Sequence, residues 1–437
     1  MPPKIQPRVP RGMRDILPQK MILRQYVIGE IERVFQRFGF EPLQTPALEL
    51  RDTLMGKYGA DAEKLIYDAR HREGKEDLSL RYDLTVPLTR VVAMYPELVK
   101  PFKRYQIAPV WRAERPQKGR YREFYQCDVD IVGSKSMLAD AEIVTLIYAA
   151  LNQLGFESFV TKINNRKILT GIGQYAGVPN ELLGGLYRSI DKLDKIGADG
   201  VREEMGKNEI PVNAVAKMMQ LITLPPNAFG ELRELLGDIA IATEGLEELE
   251  ALATYLGESG VPSTNYQFDF AMVRGLAYYT GPIYETIVTE PKIGSLTGGG
   301  RYDELIGLFT SKSIPTTGTS FGIERIIDVM DELAMYPSSI GKTVTQVLIT
   351  VFNRDLVGAS IRIANELRAA GINAELALDA EGLGKQLKYA AAKSIPFTVI
   401  IGPDENAAQK ATLRDLGTGE QVLVAQSELA DDVKRKA

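Results

Sequence analysis

The chain has one cysteine, one histidine and one tryptophan among 437 residues. A single cysteine, Cys127, excludes an intramolecular disulfide and fits a reducing compartment such as the cytoplasm. With so few Cys and His, a zinc site built on those ligands is excluded as well. The lone His71 lies in the charged stretch ARHREGK (69–75), where a solvated loop residue is expected. An enzyme made from this chain must therefore work without a histidine base, through charge, positioning or carboxylates. No apolar run of about eighteen residues exists, so no transmembrane helix is expected. The N-terminal MPPKIQPRVPRGMRD lacks the apolar segment of a secretory signal.

What is present is ordinary in bulk: 45% apolar and 25% charged residues, in a length that suits about two to four domains. The net charge is −5, yet residues 100–122 hold eight Lys and Arg against one acid, Glu114. A window of about +7 in an acidic chain points to a polyanion site. A solvated, charged hairpin at a sheet edge would read the same way.

Spacing of three and four between Ile22, Tyr26, Ile28, Ile31, Val34, Phe35 and Phe38 predicts a helix over 19–38, capped by Gly39. Alternation predicts strands over 78–84, 102–112 and 123–133, the last two flanking a basic loop at 115–120. A helix is expected over 137–154, and Leu/Glu/Lys-rich periodicity from about 168 to 258 predicts a helical insertion. Strands return at 266–272, 283–289 and 316–322, with a helix from near Glu324. MYPSSIGKT reads as a linker near 335–345. Beyond it QVLITVF, 356–370, NAELAL, 383–393 and FTVIIGP give a β-α-β-α-β rhythm. The expected domains are 1–335, α+β with a mostly antiparallel sheet, and 343–437, α/β.

Three constellations carry chemistry. Arg112, on a predicted strand, is two residues from Glu114, so both side chains can leave one face of the sheet: a pair for a phosphate and an adenine amino group. Gln126, Asp128 and Asp130 alternate on the return strand and line one floor. In VRGLAYYTGPIYE (273–285), Arg274 offers fixed positive charge beside glycines that admit a ligand. In GTSFGIER (318–325), a small-residue strand leads to Arg325 at a helix start.

In this order the residues resemble class II aminoacyl-tRNA synthetases: FGFEPLQTPALE resembles motif 1, VWRAERPQKGRYREF motif 2 and GTSFGIER motif 3. RGMRDILP (11–18), RYDLTVPLTR (81–90), GRYREFYQCDVDIVG (119–133) and RGLAYYTGPIYE (274–285) resemble the histidyl-tRNA synthetase family, over nearly the full length. SIDKLDKIG (189–197) is similar to the insertion of its eukaryotic and archaeal-like branch. The family departs from this chain at Ala277, where many relatives have Asp.

The resemblance implies a homodimer that condenses histidine with ATP and transfers it to the 3′ end of tRNA-His. Asp83, Thr85 and Gln126 would hold the α-amino group, with Leu84 in the same histidine-binding set. Asp130 and Tyr279 would read the imidazole, and Tyr278 and Tyr302 would line its pocket. Arg112 would bridge the α-phosphate and the substrate carboxylate, with Arg274 stabilising the phosphorus from the other side; these two are the expected catalytic residues and also belong to the histidine-binding set. Glu114 would hold the adenine amino group, and Arg120 and Arg325 the terminal phosphates. Mg²⁺ is implied with ATP, although no residue is assigned as a metal ligand. The C-terminal domain resembles an anticodon-binding domain in which Lys385 and Lys388 would meet tRNA, and Lys118 of the basic loop in the first domain would meet it too. Three rival readings share these residues: an inactive paralogue acting as a regulatory subunit, a non-catalytic RNA-sensing module, and an adenylating enzyme with another acceptor. The first two would have lost the arginines that this chain keeps. The third would not need an anticodon domain.

Overall fold

Alternating apolar and polar residues from 102 to 132 form two ten-residue strands, because one face must be buried and the other lines a cavity. The structure, a computed structural model, describes residues 6–58, 60–117, 119–273, 278–378 and 382–436. By contacts the described residues divide into two units: those up to Asp15 with Val27–Met335, and Ile16–Tyr26 with those from Tyr336 onward.

The first unit is built on an eight-stranded sheet. Its strands are β1 (Glu41–Pro42), β2 (Phe102–Trp111), β3 (Glu123–Val132), β4 (Val160–Asn165), β5 (Tyr266–Phe268), β6 (Pro282–Ile287), β7 (Thr297–Arg301) and β8 (Thr316–Gly322). Their spatial order is β1-β2-β3-β8-β7-β6-β4-β5. Only the outer pairs β1–β2 and β4–β5 are parallel. On one face Tyr105 and Phe321 pack against Phe35 of α1 (Pro18–Arg37), with ring centroids 5.6 and 5.5 Å apart. Cys127, Val129 and Ile131 lie in the same core, and burial pushes the Cys127 thiol far up. A separate three-stranded sheet of Leu48–Leu50, Asp68–Ala69 and Leu78–Leu80 precedes α2 (Thr85–Met94).

An ionic knot fixes the far side of the sheet. Arg301, at the end of β7, pairs with Asp140 of α3 (Met137–Gln153) and donates to Ser134 O at 2.8 Å and Ser136 O at 3.2 Å. Tyr284 donates to the same carboxylate and meets Thr317 Oγ1 at 2.9 Å. Both charges are buried, and each satisfies the other. Between β4 and β5 the described chain is helical from α4 (Arg166–Ala176) to α5 (Ala240–Glu258).

The second unit carries a sheet of β9 (Val347–Ile349), β10 (Ala374–Leu376), β11 (Phe397–Ile400), β12 (Lys410–Asp415) and β13 (Gln421–Ala425), ordered β10-β9-β11-β12-β13. The first three are parallel, joined through α7 (Val357–Ala369) and α8 (Leu383–Ala392) after α6 (Ile323–Glu332) closes the first unit. The antiparallel β12–β13 pair was not foreseen; its hairpin follows FTVIIGP.

Three local expectations fail. The strand predicted over 266–272 ends at Phe268, where Asp269 Oδ1 accepts from Ala271 N at 3.1 Å in a turn. The strand predicted over 78–84 pairs only through Leu80, because residues 81–84 turn to start α2. Arg112 and Glu114 do not share a strand face: β2 stops at Trp111, and although Arg112 N still donates to Arg122 O at 2.9 Å, Glu114 is off the sheet.

Candidate active site

Cross-strand register assembles the site on the sheet face opposite Phe35. Asp128 lies opposite Gln106 of β2 and Ser320 of β8, and Asp130 opposite Arg104 and Gly318. Residues opposite one another project to the same side. The result is an inner cavity of about 130 Å³, lined by Asp83, Thr85, Arg112, Gln126, Asp128, Asp130, Tyr278, Tyr279, Tyr302 and the glycine-rich strands β7 and β8. Gly318 is needed there: a Cβ would stand 2.0 Å from Asp130 Oδ1 and 2.6 Å from Val129 O.

The acids of this cavity are held and only partly satisfied. Asp83 Oδ1 accepts from Tyr58 Oη at 2.9 Å and Val86 N at 3.0 Å, while its Oδ2 has no partner among the described residues. Asp130 accepts from the Tyr302 hydroxyl, and Arg104 Nη2 stands 2.7 Å from its other oxygen. Arg104 is fully buried and also donates to Leu84 O at 3.3 Å. Gln126 donates to Ser320 at 3.2 Å, leaving Oε1 without a partner among the described residues. Asp128 Oδ1 is likewise buried and unpartnered there.

Burial raises all three carboxylates. For Asp83 it is opposed by the Val86 N–H and Arg112, and for Asp130 by Arg104 and the Tyr302 hydroxyl. Asp128 is pushed up to about 7, mainly by burial and further by Asp130 and Asp83, against the pull of Arg104 and Ser320. Burial also lifts the Tyr58, Tyr278 and Tyr302 hydroxyls well above 10, so they are neutral donors. A pocket of buried acceptors with open lone pairs suits an ammonium group and ring N–H donors.

Beside it lies an outer cleft of about 290 Å³ that shares Arg112, Gln126, Gly298 and Ser320 with the inner cavity. The Arg112 guanidinium sits 4.4 Å from the Tyr82 ring and 5.1 Å from that of Phe124, with Nε donating to Tyr82 O at 3.1 Å. Arg120 and Glu114 pair at 3.0 Å on one wall, and Arg325 donates to Ser295 O at 2.8 Å on another. Fixed guanidiniums around an aromatic-lined cleft suit a nucleotide and its phosphates.

The structure thus brings together Asp83, Thr85, Gln126, Asp130, Tyr278, Tyr279 and Tyr302 in one cavity, and Glu114, Arg120 and Arg325 in the other, with Arg112 in both. Leu84 is buried beside them and contributes its carbonyl to Arg104. Arg274, Ala277 and Lys118 lie outside the described residues. His71 is exposed, as expected. Among the described residues no group of three or more His, Cys, Asp or Glu could hold a metal.

Sequence reasoning missed three contributors. Arg104 counted only toward a basic window, yet its register opposite Asp130 makes it the counter-charge. Tyr58 left no signal, since it reaches Asp83 from a different loop. The N-terminal RGMRD is a strap on the basic hairpin: Gly12 O accepts from Arg122 N at 2.9 Å, and Arg14 lies 3.6 Å from the Tyr121 ring while pairing with Glu324.

In the second unit, a pocket of about 250 Å³ is lined by Leu348, Glu375, Leu376, Ala377, Leu378, Lys385, Gln386 and Tyr389. Tyr389 is half-exposed and donates to Glu375 at 2.5 Å. Lys388 is exposed on the same helix.

Comparison with known proteins is consistent across the chain. Residues 12–326 match the family described as histidyl-tRNA synthetase, and residues 346–436 match the anticodon binding domain. A histidine–tRNA ligase of Aeropyrum pernix is 43% identical over 435 residues, covering 98% of each chain. One of Korarchaeum cryptofilum is 42% identical over 435 residues, again 98% of each. The crystal structure of histidyl-tRNA synthetase from Nostoc sp. PCC 7120 superimposes with a TM-score of 0.88 at 34% identity, over 99% of this chain and all of that one.

Proposed function

The chain belongs to the histidyl-tRNA synthetase family, and from that premise we propose that it is a histidine–tRNA ligase. It activates histidine with ATP to histidyl-adenylate, releases pyrophosphate, and transfers the histidyl group to the 3′ end of tRNA-His. The observation that carries this reading is the pair of adjoining cavities: buried, unsatisfied acceptors in one, guanidiniums in the other, and Arg112 in both.

In this reading the substrate ammonium takes the open oxygens of Asp83 and Gln126, with Thr85 beside them. Asp130, held by Tyr302 and Arg104, accepts a ring N–H, and Tyr278 and Tyr279 close the pocket. A side chain with no N–H would leave that acceptor unpaired, a penalty of about 1–3 kcal/mol. Arg112 joins the substrate carboxylate to the α-phosphate at the seam of the two cavities, so the attacking oxygen and the phosphorus are positioned together. Glu114 takes the adenine amino group; Arg120 and Arg325 take the outer phosphates. By resemblance Arg274 stabilises the charge that develops on phosphorus. No described cluster fits a resident metal, so Mg²⁺ would arrive with the nucleotide.

We assign residues 1–335 to catalysis, with the helical insertion at about 168–258, and 343–437 to anticodon binding. The pocket at Tyr389 offers a ring for a base to stack on, with Lys385 and Lys388 near it for phosphates. By family resemblance the enzyme is a cytoplasmic homodimer. Among the described residues no helix is long and apolar enough to cross a membrane. Histidine-dependent ATP–pyrophosphate exchange and charging of tRNA-His alone among tRNAs are the expected results. Folded protein that shows no exchange with histidine overturns the proposal.

A further inference from the structure

Asp128 has no part in the site as the family resemblance drew it, yet it lines the same inner cavity as Asp83 and Asp130. Its side chain is buried, Ser320 lies opposite it across the strands, and Oδ1 has no partner among the described residues. Its surroundings can be named strand by strand. From β2 come Arg104, which pairs with Asp130, and the neutral Gln106. From β8 comes Ser320, and from the loop before α2 comes Asp83. Arg112 stands at the seam with the outer cleft, and the Tyr58, Tyr278 and Tyr302 hydroxyls are neutral. The charge of Arg81 also reaches Asp128, but its guanidinium donates to Pro109 O and Thr45 O and forms no ion pair with Asp128. Arg274 lies outside the described residues.

The charges do not balance when every acid is ionised. Among the described residues that line the cavity or pair with its acids, three carboxylates stand against Arg104 and Arg112, −3 + 2 = −1. A histidine zwitterion adds nothing to that sum, because its carboxylate offsets its ammonium. An uncompensated charge in a closed, low-dielectric space is strongly disfavoured, and the usual remedy is to bind a proton. Either Asp128 stays a neutral acid, or the substrate ring becomes imidazolium against an ionised Asp128. Both arrangements contain the same number of protons.

We propose that Asp128 is a further substrate-binding residue, and that the histidine complex holds one proton between its carboxyl group and the substrate imidazole. The inference rests on reading the inner cavity as the histidine site. It gives the pocket a second test of the side chain: besides donating N–H groups, the ring must share a proton. A neutral amide of similar shape, as in glutamine or asparagine, cannot.

The experiment is titration calorimetry of the full chain with L-histidine at pH 7.5, in buffers of different ionisation enthalpy, which counts protons exchanged on binding. Free enzyme with Asp128 near 7 and free histidine with a ring near 6.5 carry together about 0.3 proton at this pH, so binding takes up about 0.7. Asp128→Asn, which keeps the shape of the neutral acid but cannot titrate, should take up about 0.7 proton less than wild type. Equal uptake by the two proteins would make Asp128 structural and overturn the inference. If the variant does not fold, wild type alone decides: uptake below about 0.2 proton overturns it and uptake near 0.7 sustains it. Failure of histidine to bind or to support exchange refutes the functional reading instead, and the two failures are separately visible.

Discussion

Gly318→Ala should break histidine recognition and spare ATP binding. The added Cβ would sit 2.0 Å from Asp130 Oδ1, where about 3.0 Å is the least that real contacts show. Asp130 cannot swing aside freely, because Arg104 and Tyr302 hold it. The backbone of β3 cannot yield easily either, since Val129 O is 2.6 Å from the same Cβ. Something must therefore move by about 1 Å, and a displacement of that size at a reacting centre lowers rates by about 100-fold, or about 2.7 kcal/mol. The expected outcome in pyrophosphate exchange is a fall of about 100-fold in kcat/KM for histidine, with KM for ATP changed less than about threefold. The outer cleft does not contain position 318, which is why the two substrates should separate. Chemical denaturation of the variant checks that the sheet is intact. A folded variant with wild-type KM for histidine, or with equal losses for both substrates, would refute the steric reasoning.

Other outcomes follow from the same geometry. Arg104→Met leaves Asp130 buried without its counter-charge and should lower stability by about 3–5 kcal/mol in urea unfolding; adding Asp130→Leu should recover part of that loss. Arg274→Ala should depress exchange strongly with little change in histidine affinity, since charge there counts mainly in the transition state; comparable loss of ground-state binding would contradict its role. Stability of the ligand-free protein should also fall with pH on account of Asp128. Its folded value of about 7 lies above the ordinary 3.8, so the favourable contribution is complete below 3.8 and is lost as pH rises through 7. Between pH 5.5 and 8 that amounts to about 2 kcal/mol, which Asp128→Asn should abolish in urea unfolding at the two pH values.

Much of this molecule is legible in its sequence. Period-2 alternation located β2, β3 and β8 within a residue or two, and it put Gln126, Asp128 and Asp130 on one floor, because strand geometry is local. Alternation failed where a strand ended early: Arg112 follows Trp111 out of β2, and its place comes from the Tyr82 and Phe124 rings instead. Register was beyond reach. That Arg104 faces Asp130, or that Tyr58 reaches Asp83, depends on which residues pair across chain separations that no local pattern encodes. The roles given to Asp83, Tyr279 and Arg274 came from resemblance, not from spacing.

The scarcity of histidine also has a spectroscopic consequence. The protein contributes one imidazole, on the exposed His71, and a solvated ring gives a narrow, ordinary nitrogen signature. A ring-labelled histidine held in the inner cavity would supply the other resonances of that kind, far from the solvated pattern if its proton is shared with a carboxylate. Tautomer and charge of the bound amino acid can then be read in the intact enzyme by nitrogen NMR, with no background of internal histidines to assign.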